Sequence, residues 1–275
     1  IYSTSPLGDI KLSANITVNG TLTTSTVAPY QKIKIYSSAV GTQRTMTCAA
    51  VSISDTPFLS IVIAGAAAPA ATTRGGDLGN NSGITFPTPK TVYWSSAATT
   101  NWTGTVWATT SGGVPAANNF PLPQDDVVFD NGGISSSYMD FPFFINSLDM
   151  SARTTALTLT AQAGTLYFGV GQNFKLSSSV TYSGSPIFGA SAFYFYGTKA
   201  GTITSNGVTF PTSNQWALYI DKYPGGSVTL ADAMTLNTAL SANAFFSTSA
   251  NTGTFDSASY NVTASFVQWI GGGTL

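Results

Sequence analysis

The chain of 275 residues sets ten Lys and Arg against eleven acids, and charged residues make up only 8% of it. Every acid is Asp, histidine is absent and Cys48 is the single thiol, so a Ser-His-Asp triad, a Cys-His pair, a His-ligated zinc or a thiolate cluster cannot be assembled from one chain. The net charge of -1, with Lys and Arg scattered singly, gives no electrostatic footprint for nucleic acid.

Hydrophobic residues reach 43%, yet the longest mainly apolar run, IVIAGAAAPAA, is too short and too rich in Gly and Pro to span a bilayer. A soluble protein without a membrane span is expected. The sequence opens IYSTSPLG, with neither Met nor signal peptide, and stops at IGGGTL inside a strand-and-turn pattern. Both ends read as cuts, and the chain as a fragment of something longer.

In chain order, apolar and polar residues alternate in DIKLSANITVNGTL (9 to 22), YQKIKIYSS (30 to 38), LSIVIAG (59 to 65), TTALTLT (154 to 160), GTLYFGV (164 to 170), AFYFYG (192 to 197), GTITSNGVTF (201 to 210) and SVTLADAMTL (227 to 236). Period two means strand, and Thr, Val, Ile, Tyr and Phe suit a pleated, half-buried surface. Nothing shows a convincing helical stripe; AATTNWTGTVWATT comes closest, but its β-branched and Gly residues argue against it. The fold class is all-β. The order Gly-Ile/Val-Thr-Phe-Pro-Thr recurs at Gly83 and Gly207. Short strands turning at Gly, Asn and Asp fit either β-sandwich units or a parallel β-solenoid (β-helix). Asn-Gly pairs suited to hairpins occur only at Asn19, Asn131 and Asn206, which favours the solenoid, whose stacked rungs also accommodate few charges. Three regions are expected: β-rich rungs over 1–65, an irregular excursion or junction rich in Gly, Pro and aromatic residues over 66–135, and solenoid repeats over 136–275.

Within the excursion, NNFPLPQDDVVFDNGG places Asp125, Asp126 and Asp130 close together. They offer hard oxygen ligands for calcium, with Asn118, Asn119 and Asn131 beside them, or a carboxylate pair for glycoside hydrolysis. The alternation around Val127, Val128 and Phe129 favours a third reading, in which the acids cap turns on either side of a core strand. On that reading Asp to Asn costs little, while Val127 or Phe129 to Ala costs more. Tyr93, Trp94, Trp102 and Trp107 could form a flat platform for stacking a glycan; such rings more often plug a core. Cys48 alternates with Met46 and Ala50 and reads as a small buried apolar residue. GGDLGNNSG lacks the Lys-Ser/Thr of a phosphate loop. Calcium is therefore the single cofactor the residues suggest.

The succession GITFPTPKTVYW, NW with a later W, SGG with FPLPQDDVVFD, and SLDMSARTTALTLT resembles repetitive β-rich segments of tailed-phage virion structural proteins, tail fibres and other appendages, and of some bacterial surface repeat proteins. GVTFP, LYIDK, GGSVTLADAMTL and YNVTASF look like the same material. The resemblance implies a parallel β-solenoid in a virion or extracellular, cell-surface structure, and supplies no catalytic motif. The expected role is structural and not enzymatic, with other copies of the chain or neighbouring virion or surface proteins as partners. The alternative is an adhesin or receptor-recognition module that binds a host-surface glycan.

Overall fold

A computed structural model describes residues 8–24, 33–39, 41–134, 136–141, 143–161, 167–184, 191–210, 216–236, 244–248, 253–263 and 268–271. Among them, strands account for all regular structure apart from one 3-10 turn at Ala117–Asn119. The chain divides into two compact units, Ile1–Pro89 with Leu122–Gln124, and Lys90–Pro121 with Asp125–Leu275.

In the first unit, Gly8–Leu12, Ile33–Ser37, Pro57–Leu59 and Gly76–Asp77 form one sheet. Ile16–Thr24, Arg44–Ser54, Ala70–Thr73 and Ile84–Thr85 form a second, and Ile61–Ala64 also pairs with Arg44–Ser54. All pairings are parallel. Alternation sends Leu12, Leu22, Ile35, Met46, Cys48, Ile53, Phe58 and Ile63 inward into one core cluster. Burial there raises the pKa of the Cys48 thiol. The PLPQ stretch contributes to this unit through Gln124, whose Oε1 accepts from Asp77 N at 3.0 Å and whose Nε2 donates to Gly75 O and Pro87 O, both at 3.2 Å.

The second unit holds four sheets. The longest orders Trp107–Ala108, Thr91–Trp94, Asp126–Val128, Ser147–Asp149, Phe174–Lys175, Ala200–Thr204, Ser227–Leu230 and Thr254–Asp256. A six-stranded sheet runs from Phe143–Ile145 through Tyr167–Val170, Ser191–Gly197, Trp216–Lys222 and Ala244–Thr248 to Gln268–Gly271. Thr100–Asn101, Ser137–Met139, Leu157–Ala161 and Val180–Gly184 make the third, and Thr209–Phe210, Met234–Leu236 and Val262–Thr263 the fourth. Like residues align across the strands. Val92, Val127, Leu148, Phe174, Ile203 and Leu230 follow one another in register, as do Phe143, Phe168, Phe193 and Leu218, and all are buried. Each removes apolar area from water at about 25 cal/mol per Å².

The all-β class expected from the alternation is what the strands form, but the single continuous solenoid is not. Among the described residues, six separate sheets of three to eight strands are present, divided between two units. One ladder ends at Val180–Gly184 while another begins at Thr209–Phe210, and Trp107–Ala108 pairs antiparallel with Thr91–Trp94. Period-two alternation reports which residues face inward and is blind to where one ladder stops and the next begins. The sandwich alternative also fails, because sandwiches are built from antiparallel hairpins and the other strand pairs among the described residues are parallel. Between 66 and 135, where an irregular excursion was expected, short strands occur at Ala70–Thr73, Gly76–Asp77, Ile84–Thr85, Thr91–Trp94, Thr100–Asn101, Trp107–Ala108 and Asp126–Val128.

Candidate functional site

Pro121 and Pro123 cannot donate to a ladder and deliver the chain to Asp125 immediately before the strand Asp126–Val128. The Asp125 carboxylate is fully buried. It accepts from Lys90 N at 3.0 Å and from Lys90 Nζ at 2.5 Å, while Asp126 N donates to Lys90 O at 3.0 Å. The pair therefore clamps the entries of two neighbouring strands together.

Asp126 points elsewhere: its Oδ1 accepts from Asn146 Nδ2 at 2.7 Å. Asp130 forms an Asx turn, accepting from Gly132 N at 2.8 Å. Successive strand residues face opposite ways, and Asp130 lies past the strand end, so proximity in sequence does not become convergence in space. Among the described residues, no three His, Cys, Asp or Glu side chains are grouped so as to hold a metal ion.

The tryptophans are inside. Trp94, Trp102 and Trp107 are all 0% exposed. Trp102 stacks on Phe143 with centroids 4.1 Å apart, Trp94 stacks on Phe129 at 5.5 Å, and Trp107 meets Trp102 at 4.8 Å. Trp107 Nε1 donates to Trp102 O at 2.9 Å, whereas Trp102 Nε1 has no hydrogen-bond partner among the described residues. A sugar needs an open ring face, and of the four only Tyr93 is partly exposed. The glycan platform is accordingly corrected to a core of packed rings, which sequence cannot distinguish because both uses need large apolar area.

Among the described residues, two cations, Arg153 and Lys222, are buried. Arg153, 2% exposed, donates from Nε to Thr155 O at 2.8 Å, from Nη1 to Asp130 O at 2.5 Å and to Gly133 O, and from Nη2 to Ala156 O at 3.3 Å. Burial lowers its pKa, against the pull of the Asp130 charge. Lys222, 0% exposed, donates to Gly171 O at 2.5 Å, Tyr196 O at 2.8 Å and Lys199 O at 3.0 Å. Burial, helped by the positive charge of Lys199, brings its pKa down to about 7. Arg153 holds carbonyls of the turns beside the strands, whereas Lys222 holds two turn carbonyls and one, Tyr196 O, within the strand Ser191–Gly197. Sequence carries no signal that singles them out: Lys11, equally flanked by strand residues in DIKLS, is exposed, and only the long-range placement of the carbonyls makes Lys222 and Arg153 inward cations.

At the surface of the long sheet, Lys175 Nζ lies 2.8 Å from Asp149 Oδ2. Partial burial opposes the Asp149 charge, but hydrogen bonds from Lys175 and Ser151 outweigh it and hold the carboxyl below its usual range. Comparison with known proteins adds no identity: no family model, no curated protein and no solved structure matches the chain. The virion, phage or adhesin nature implied by the sequence resemblance thus gains no support, and what stands is an all-β fold of several sheets. Among the described residues, no helix is long and apolar enough to cross a membrane.

Proposed function

We propose that this chain is a structural element of a larger assembly, made of further copies of itself or of neighbouring proteins. One observation carries the reading: the side chains with chemical potential are engaged in holding the fold together. Asp125 is paired with Lys90, the three tryptophans fill the core, and Arg153 and Lys222 bind backbone carbonyls. Long parallel ladders of aligned apolar residues suit a component that resists deformation, since each strand is tied to both neighbours by backbone hydrogen bonds. The experiment is analytical ultracentrifugation and electron microscopy of the purified chain over a concentration series, alongside a glycan array and a polysaccharide turnover screen. Ordered association with neither glycan retention nor turnover is expected. A monomer that retains a glycan or cleaves a polysaccharide overturns the reading.

A further inference from the structure

The turns leading into Ser147–Asp149, Phe174–Lys175 and Ala200–Thr204 carry Asn146, Gln172 and Lys199. Lys199 reaches back across the Gln172 turn and donates from Nζ to Asn146 Oδ1 at 3.0 Å, although the two residues are 53 apart in sequence. The other end of the Asn146 amide is held as well. Its Nδ2 donates to Asp126 Oδ1 at 2.7 Å and to Gln172 Oε1 at 2.9 Å, which engages both amide hydrogens and aims Oδ1 at the lysine. Asn146 is only 8% exposed, so water has little access to the amide. The Lys199 turn is itself fixed, because its backbone oxygen accepts from Lys222 Nζ at 3.0 Å.

We propose that Lys199 and Asn146 join in an intramolecular isopeptide bond, with Asp126 as the carboxyl group that moves the proton. The Asn146 amide carbon lies one C=O bond, about 1.23 Å, behind the oxygen that Lys199 already touches, and near-attack separations are about 3–3.5 Å. A small swing of the lysine stem exchanges contact with oxygen for contact with carbon. Lys199 is exposed and loses its ammonium proton to solvent; the neutral Nζ then attacks Cγ. The Nζ–Cγ bond forms as the carbonyl π bond opens. Asp126 takes the proton released by Nζ and hands it to Nδ2, with which it is already hydrogen-bonded; the carbonyl re-forms, the Cγ–Nδ2 bond breaks and ammonia leaves. No oxidant or reductant is consumed, and Asp126 ends as it began. The product covalently ties turns that are two strand spacings apart.

This chemistry is independent of the assembly role proposed above, and its test reads a mass. Intact mass spectrometry of the folded full chain, held at mildly alkaline pH, is expected to give the sequence mass less one ammonia. A protease digest should contain a branched peptide joining the segments with Asn146 and Lys199. Lys199→Arg, which keeps the charge, and Asn146→Ala should both return to the full sequence mass. Asp126→Ala, checked by circular dichroism for an intact fold, should slow bond formation by roughly a hundredfold or more; Asp126→Asn serves if that variant misfolds. A wild-type chain at full sequence mass overturns the proposal. So does ammonia loss that persists in Lys199→Arg, since the Asn-Gly pairs at Asn19, Asn131 and Asn206 can also release ammonia by cyclising.

Discussion

Lys90 and Asp125 show why residue identity alone misjudges cost. From sequence, Asp125→Asn is a minor loss at a turn, because an acid that caps a turn contributes only a cap hydrogen bond, about 1 kcal/mol. In the fold its carboxylate is fully buried, with Lys90 27% exposed. Breaking such a pair by removing one partner leaves an uncompensated buried charge. Lys90→Met is therefore expected to destabilise the chain by about 3–5 kcal/mol, measured by urea denaturation, whereas Asp130→Asn, at an Asx turn, costs about 1 kcal/mol or less. Lys222 gives a prediction in pH. An unfolded lysine keeps its proton to about 10.5, while folded Lys222 releases it near 7. Between those values the unfolded chain binds more protons, so this residue makes stability rise as pH rises; below pH 7 its destabilising effect is fully present. Relative to Lys222→Met, the wild-type chain should gain unfolding free energy across that window in denaturant titrations. Equal slopes for the two proteins would mean that the three carbonyl acceptors hold the ammonium charged throughout.

At the scale of strands and turns, VVF was legible in the sequence because its pattern is short-range: Val127 and Phe129 face inward and are 0% exposed. Replacing either with Ala is expected to cost about 2–5 kcal/mol, through lost transfer energy and the cavity left behind. A thermal melt in which Asp130→Asn is the more damaging change would reverse that ordering. The partner of each strand was not legible. Nothing local in LTLT says that Thr158 meets Thr181 at 3.0 Å or that Thr160 meets Ser183 at 2.8 Å, because register is set by ladders formed elsewhere. Tight turns lie between these extremes. Gly83 in the recurring GITFPT sequence has φ +67°, and a Cβ there would collide with Ile63 O. Both the left-handed backbone and the neighbouring carbonyl exclude a side chain, so Gly83→Ala should destabilise by more than the about 1 kcal/mol typical of a glycine conformational effect. By contrast Gly207, in the matching GVTFPT sequence, has φ +71° with open space for 4 Å around the place a Cβ would take, and Gly207→Ala should incur only the backbone cost.

For the molecule as a whole, composition revealed what the chain lacks, and alternation revealed its class, but neither could reveal six sheets in two units. The reason is the distance along the chain between partners. Thr160 and Ser183 are 23 residues apart and Asn146 and Gln172 are 26 apart, so every ladder hydrogen bond between such strands closes a loop before it is rewarded. The same fact governs folding speed. Each closure costs entropy that grows slowly with loop length, and parallel strands have no hairpin through which pairing can start locally. Refolding by stopped-flow fluorescence of the buried tryptophans is therefore expected to take about milliseconds to seconds or longer, well outside the microsecond range of helical bundles. Salt offers a control on the cause. With so few charges and a net charge of -1, raising ionic strength should change the refolding rate little, because little long-range attraction exists to be screened. A microsecond phase carrying the full tryptophan signal would show that local contacts, and not the closure of these ladders, limit the rate.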